Sequence, residues 1–143
     1  MMLIAMAWAQ SLIFAVLSLI HLNWGFGGSW GFDKSLPTNV EGERVLNPKS
    51  RDSMIVGIGL MFFSLFYMVK ADIVFMDLPS LVESAVGWLI PIVFLLRAMG
   101  DFKYIGFFKK LTSTDFASRD TRLYSPLCLF IGINGVLITL NIS

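Results

Sequence analysis

SMIVGIGLMFFSLFYMV, residues 53–69, decides the fold. The run carries no Asp, Glu, Lys or Arg, and Asp52 and Lys70 bound it on either side. A helix needs roughly 20 apolar residues to cross the hydrocarbon core, with about 17 as the lower limit. Three comparable runs cover residues 2–23, 81–96 and 126–141. Hydrophobic residues make up 56% of the chain and its mean hydropathy is +0.74, more than a water-soluble fold of 143 residues needs. An open sheet cannot span lipid, because its edge amides would go unsatisfied. The expected fold is therefore all-α: a polytopic membrane protein built as a four-transmembrane-helix bundle. One domain, residues 1–143, is expected, with helices near 2–23, 53–70, 79–99 and 125–142. The first run has no basic flank, and Ala5, Ala7 and Ala9 precede the apolar stretch, so it is read as a retained helix and not a cleaved signal.

The charges supply a topology. Ten of the eleven Lys and Arg residues fall in the first and third inter-helix segments, and Lys70 alone falls in the second. Cations near span ends favour the cytoplasm. Loops one and three are therefore expected inside and both termini outside, in the cell's inner (plasma) membrane. Net charge is only +1, so the distribution carries the information.

Several chemistries are excluded. His21 is the one histidine, which rules out HExxH and any multi-histidine metal centre within one subunit. The glycine-rich stretch at residues 25–35 lacks the Gly before Lys34 that a phosphate loop requires, and it follows a membrane helix instead of a strand. There is no GxSxG elbow. Cys128 is single, so no internal disulfide forms, and it reads as a packing residue. No metal or cofactor is expected. The cations are interspersed with acids beside membrane, so nucleic acid is not an expected partner. The expected partners are the lipid bilayer, an anionic lipid or small molecule, and a second copy of the chain.

The polar residues collect at the predicted inner side. Helix one ends with His21, Asn23 and Trp24, helix three with Arg97 and Asp101, and helix four follows Asp120, Arg122 and Tyr124. Together they form a candidate inward-facing pocket. His21 is the acid–base candidate, since its reference pKa lies near neutrality; the plainer reading is an interfacial His bonded to a carbonyl or a headgroup. Arg97 and Asp101 are four apart, so on a continuing helix they would pair; the alternative has Arg97 gripping an anion with its planar fork. Asp120 and Arg122 admit the same two readings. The third loop alternates aromatics with cations over residues 102–110 and is expected to lie on anionic lipid.

Two polar residues fall inside the spans. Glu83 either couples transport or caps helix three with Ser80, and the capping box is preferred. Asn134 is expected to hydrogen-bond between helices. Pro91 should kink helix three and free a carbonyl that a neighbour or water must satisfy. Asp52 or Ser53 is the expected N-cap of helix two, and Ser125 with Pro126 the expected start of helix four. Gly57, Gly59, Gly132 and Gly135 offer close helix approach.

RAMGDFKYIGFFK at residues 97–109, with Phe116–Ala117, Asp120–Thr121 and YSPLC at residues 124–128, resembles a family of small bacterial integral membrane proteins known as a domain of unknown function. The His21–x–x–Trp24 pattern, followed by Gly27, Gly28 and Trp30, is similar to that family's first-helix end. The resemblance implies a four-helix membrane protein and supplies no activity. The functional expectation is a protein that binds or modifies an amphipathic or anionic small molecule or lipid at a cytoplasm-facing pocket. An oligomeric transporter using Glu83 or Asn134, and a membrane scaffold, are the alternatives.

Overall fold

The computed structural model describes residues 1–141, and these are all-helical, without a named strand. Four helical segments are long and apolar enough to cross a membrane, as a four-helix membrane bundle requires: Met2–Gly25, Ser50–Lys70, Ser80–Met99 and Asp115–Leu140. Only 22–39% of the residues in their apolar windows are buried. The remainder presents side chains such as Leu12, Leu19, Phe62, Ile92 and Phe130 outward. Apolar surface on that scale calls for lipid as its solvent.

We label the α-helices α1 (Met2–Gly25), α2 (Ser50–Lys70), α3 (Ser80–Met99), α4 (Asp115–Arg119) and α5 (Ser125–Leu140). A π-helical turn, Asp120–Tyr124, joins α4 to α5. One helix starts earlier than the sequence suggests, and another is preceded by helical turns that the sequence does not suggest. Helix α2 begins at Ser50, because the Asp52 carboxylate, already in the first turn, accepts the Lys49 N–H at 2.8 Å. The fourth apolar segment begins at Asp115, ten residues before Ser125. Thr114 caps it by accepting the Ala117 N–H at 3.0 Å. Helix α5 starts at Ser125 with Pro126 in its first turn, as expected, but it continues from α4 through the π-helical turn instead of following a loop. The widened turn before it lets the Ser125 N–H reach the Asp120 carbonyl, and the Ser125 hydroxyl faces inward to the Asp120 carboxylate. Residue 142, the expected end of this helix, lies outside the described residues.

The chain divides into two compact units. The first comprises Met1–Trp30, Pro48–Trp88 and the chain from Asn134 onward. In it α1 packs along α2 through small polar residues. The Ser18 hydroxyl donates to the Gly57 carbonyl at 2.7 Å, and Ser11 and Ser64 bond each other's backbone and hydroxyls at 2.9–3.2 Å. A Cβ on Gly57 would run into Leu22, so the glycine is what permits this approach. Gly59, by contrast, faces open space. Phe14 and Tyr67 stack at 5.8 Å in the core of this unit.

The second unit comprises Gly31–Asn47 and Leu89–Ile133. Its core holds Leu36, Ile90, Ala98, Phe116, Ala117, Cys128 and Ile131. Gly132 lies against Leu95 of α3. The first loop is folded: Thr38 and Arg44 form a β-bridge, and Arg44 pairs with Asp33.

Candidate functional site

The polar centre of the second unit grows from the end of α3. Gly100 takes φ +89 and ends the helix after Met99. The Asp101 Oδ1 then accepts the N–H groups of Lys103, Tyr104 and Ile105 at 2.9, 2.7 and 2.9 Å. Gly106, at φ +89, closes the loop. A Cβ on Gly100 would strike the Ile105 carbonyl, and one on Gly106 would strike the Met99 carbonyl, so only glycine fits at either end. The Phe107 N–H donates to the Ala98 carbonyl at 2.8 Å, folding the chain back on its helix. Partial burial acts to raise the Asp101 carboxyl, but the N–H donors of Ile105, Lys103 and Tyr104 outweigh it and hold the carboxyl below its ordinary value.

This geometry corrects the expected Arg97–Asp101 pair. The four-residue spacing pairs side chains only while a helix continues, and Gly100 stops it. Arg97 donates instead through Nη2 to Oδ1 of Asp120 at 2.9 Å. Asp120 is fully buried. Its Oδ2 accepts the Gly106 N–H at 2.8 Å, the Ser125 hydroxyl at 3.1 Å and Lys109 Nζ at 3.1 Å. Lys109 is itself buried, and its other protons go to the Gly106 carbonyl at 3.0 Å and the Thr121 hydroxyl at 2.6 Å. Lys109 therefore belongs to the interior and does not lie on lipid. Breaking such a network by deleting one charge costs about 3–5 kcal/mol, because the partners stay buried.

The cluster has an asymmetry. Two cations, Arg97 and Lys109, share one carboxylate. All three Lys109 protons have acceptors. Nη1 of Arg97 is buried and has no hydrogen-bond partner. Arg122 is exposed and takes no part in the Asp120 network. Tyr124 packs its ring 6.0 Å from Phe116 and donates its hydroxyl to the Lys34 carbonyl at 3.2 Å, which ties down the first loop.

His21, Asn23 and Trp24 belong to the first unit. His21 Nδ1 lies 2.9 Å from the Leu17 carbonyl. A carbonyl only accepts, so Nδ1 carries the proton. The imidazole sits 4.7 Å from the Trp24 ring, and Trp24 Nε1 donates to the Trp30 carbonyl at 2.7 Å. Asn23 is exposed beside Gly28. In the same unit Glu83 forms an ion pair with Lys70, in place of the capping box expected with Ser80. Asn134 donates to the Met6 carbonyl at 3.1 Å and to Oε1 of Gln10 at 2.8 Å. Among the described residues no group of His, Cys, Asp and Glu could hold a metal ion.

The family profile described as "Protein of unknown function (DUF3995)" matches residues 14–134. The chain belongs to the DUF3995 family. No curated protein and no solved structure matches it. The matched DUF3995 segment contains the whole Asp101 loop and the whole Asp120 cluster, whereas Gln10 and Thr139 fall outside it. Sequence reasoning missed Lys109, Thr121 and Ser125 as partners of Asp120. The available signal was the pair of glycines, Gly100 and Gly106, bracketing the loop; glycines at both ends of a short polar segment point to a closed turn that carries the following residues inward.

Proposed function

We propose that this membrane protein binds the anionic head of an amphiphile, with Arg97 as the residue that grips it. The observation that carries the reading is the unequal use of the Arg97 guanidinium. Nη2 is committed to Asp120, while Nη1 is buried without a partner. Asp120 already takes four donors, one on Oδ1 and three on Oδ2, and Nη1 is not among them. A buried donor left unmade costs about 1–3 kcal/mol, and an added phosphate or carboxylate oxygen would recover it. Such an oxygen would also offset the excess positive charge left when Arg97 and Lys109 share one carboxylate.

The binding face is proposed to be cytoplasmic, with both termini external and loops one and three inside, in the plasma membrane. The support is the cation distribution, with ten of eleven in those loops or in the helical turns beside them. Transport through Glu83 or Asn134 is the weaker reading, because both side chains are bonded to protein partners. The discriminating experiment is analysis of amphiphiles that copurify in mild detergent. The wild-type protein should carry an anionic amphiphile that Arg97→Lys loses while keeping its helical content. Lysine preserves the charge for Asp120 and removes the second donor of the fork. Identical anionic content in both proteins would refute the assignment.

A further inference from the structure

A cavity of about 300 Å³ lies in the first unit, where α2 ends and α3 begins. Its walls include Lys70, Glu83, Ser84, Thr139, Phe66 and Trp88. Lys70 and Glu83 are ion-paired across it, and their side chains are 10% and 35% exposed. Lys70 Nζ also stands 5.6 Å from the centre of the Phe66 ring. The volume is at the small end of the range for ligand sites, which run from about 300 to 1,000 Å³. Hydroxyls, two aromatic rings and one charge of each sign make its lining that of a small-molecule site, where a latch between helices would need only the pair.

The charges choose the ligand class. A ligand of a single charge would take one member of the pair and strand the other in a partly desolvated place. A zwitterion exchanges both: its acidic group meets Lys70, its ammonium meets Glu83, and the charge in the cavity does not change. The small volume demands that the two groups lie only a few atoms apart. We infer that this cavity binds a compact zwitterion, an ammonium joined by a short link to a phosphate or carboxylate, by opening the Lys70–Glu83 pair. An ethanolamine phospholipid headgroup and a free amino acid both have this chemistry. The inference stands apart from the Arg97 reading, because no residue is shared.

The test uses the full chain and two probes. Protein in nanodiscs containing phosphatidylethanolamine and phosphatidylglycerol is analysed by native mass spectrometry for retained lipid, and detergent-purified protein is titrated with glycine by calorimetry. The comparison is with Lys70→Gln, Glu83→Gln and the double variant Lys70→Gln/Glu83→Gln. The double variant removes both charges together, so it leaves no stranded charge to unfold it. The expected result is retention of phosphatidylethanolamine, or saturable glycine binding, that falls at least tenfold in the double variant while thermal unfolding stays near that of the wild type. Lipid retention alone identifies a headgroup site, and glycine binding alone identifies a soluble ligand. Retention of neither probe by the wild type, or equal retention by wild type and double variant, would overturn the inference.

Discussion

Asp101 and Asp120 lie 19 residues apart and do opposite work. Asp101 is exposed and organises backbone: three N–H groups converge on one of its oxygens. Asp120 is fully buried and organises charge. The spacing of Arg97 and Asp101 pointed to a helical pair, but the physical fact that mattered was Gly100, whose positive φ ends the helix between them. Asp101 therefore has a testable pH signature. Its folded-state carboxyl is held below the ordinary value, so it contributes stability above the unfolded pKa of about 3.9 and loses it as pH falls through the folded value. The difference in melting temperature between wild type and Asp101→Ala should hold steady from about pH 7 to pH 5 and shrink below about pH 4. A difference that does not change across this range would show that the carboxylate's charge is irrelevant to the loop.

Helix α3 shows how an element can be sound despite a residue that ought to weaken it. Pro91 lies inside α3 and has no N–H to offer the carbonyl four residues earlier, that of Gly87. The Thr139 hydroxyl donates to this carbonyl at 2.8 Å. The same hydroxyl is 2.9 Å from the Gly135 carbonyl in its own helix, so one proton serves both. Thr139→Val should cost about 1–3 kcal/mol in chemical denaturation, since a buried carbonyl loses its donor. In a Pro91→Ala background, where residue 91 can donate, the same substitution should cost much less. Equal costs in the two backgrounds would sever Thr139 from the proline. The need for a new donor to that carbonyl, a neighbour or water, was legible from Pro91; its identity was not, because Thr139 is 48 residues further along the chain. The π-helical turn was illegible for a related reason. Ser125–Pro126 looks the same locally whether its helix follows a loop or a widened helical turn, and the bond from Ser125 to Asp120 is not visible in the local pattern.

Across the whole molecule, the number of spans, their approximate places and the all-helical class followed from apolar run length, because a bilayer leaves so few alternatives for backbone hydrogen bonds. The polar interior was less accessible. Lys109 sits among exposed aromatics and another lysine, a pattern indistinguishable from a segment lying on lipid until the closed Gly100–Gly106 loop turns it inward. Gln10 likewise gave an amide in an apolar helix but no clue that Asn134 would meet it. The proposed orientation rests on charge alone and has its own check: a reporter fused at the C-terminus should signal an external end, and a cytoplasmic signal would reverse the proposed face of the molecule. The most direct measurement of the account is a calorimetric titration of the purified protein with decyl phosphate below its micellar concentration. Saturable binding that weakens tenfold or more in Arg97→Lys is the result predicted by a guanidinium with one committed and one unpartnered donor; unsaturable uptake, or equal affinity in the two proteins, would contradict it.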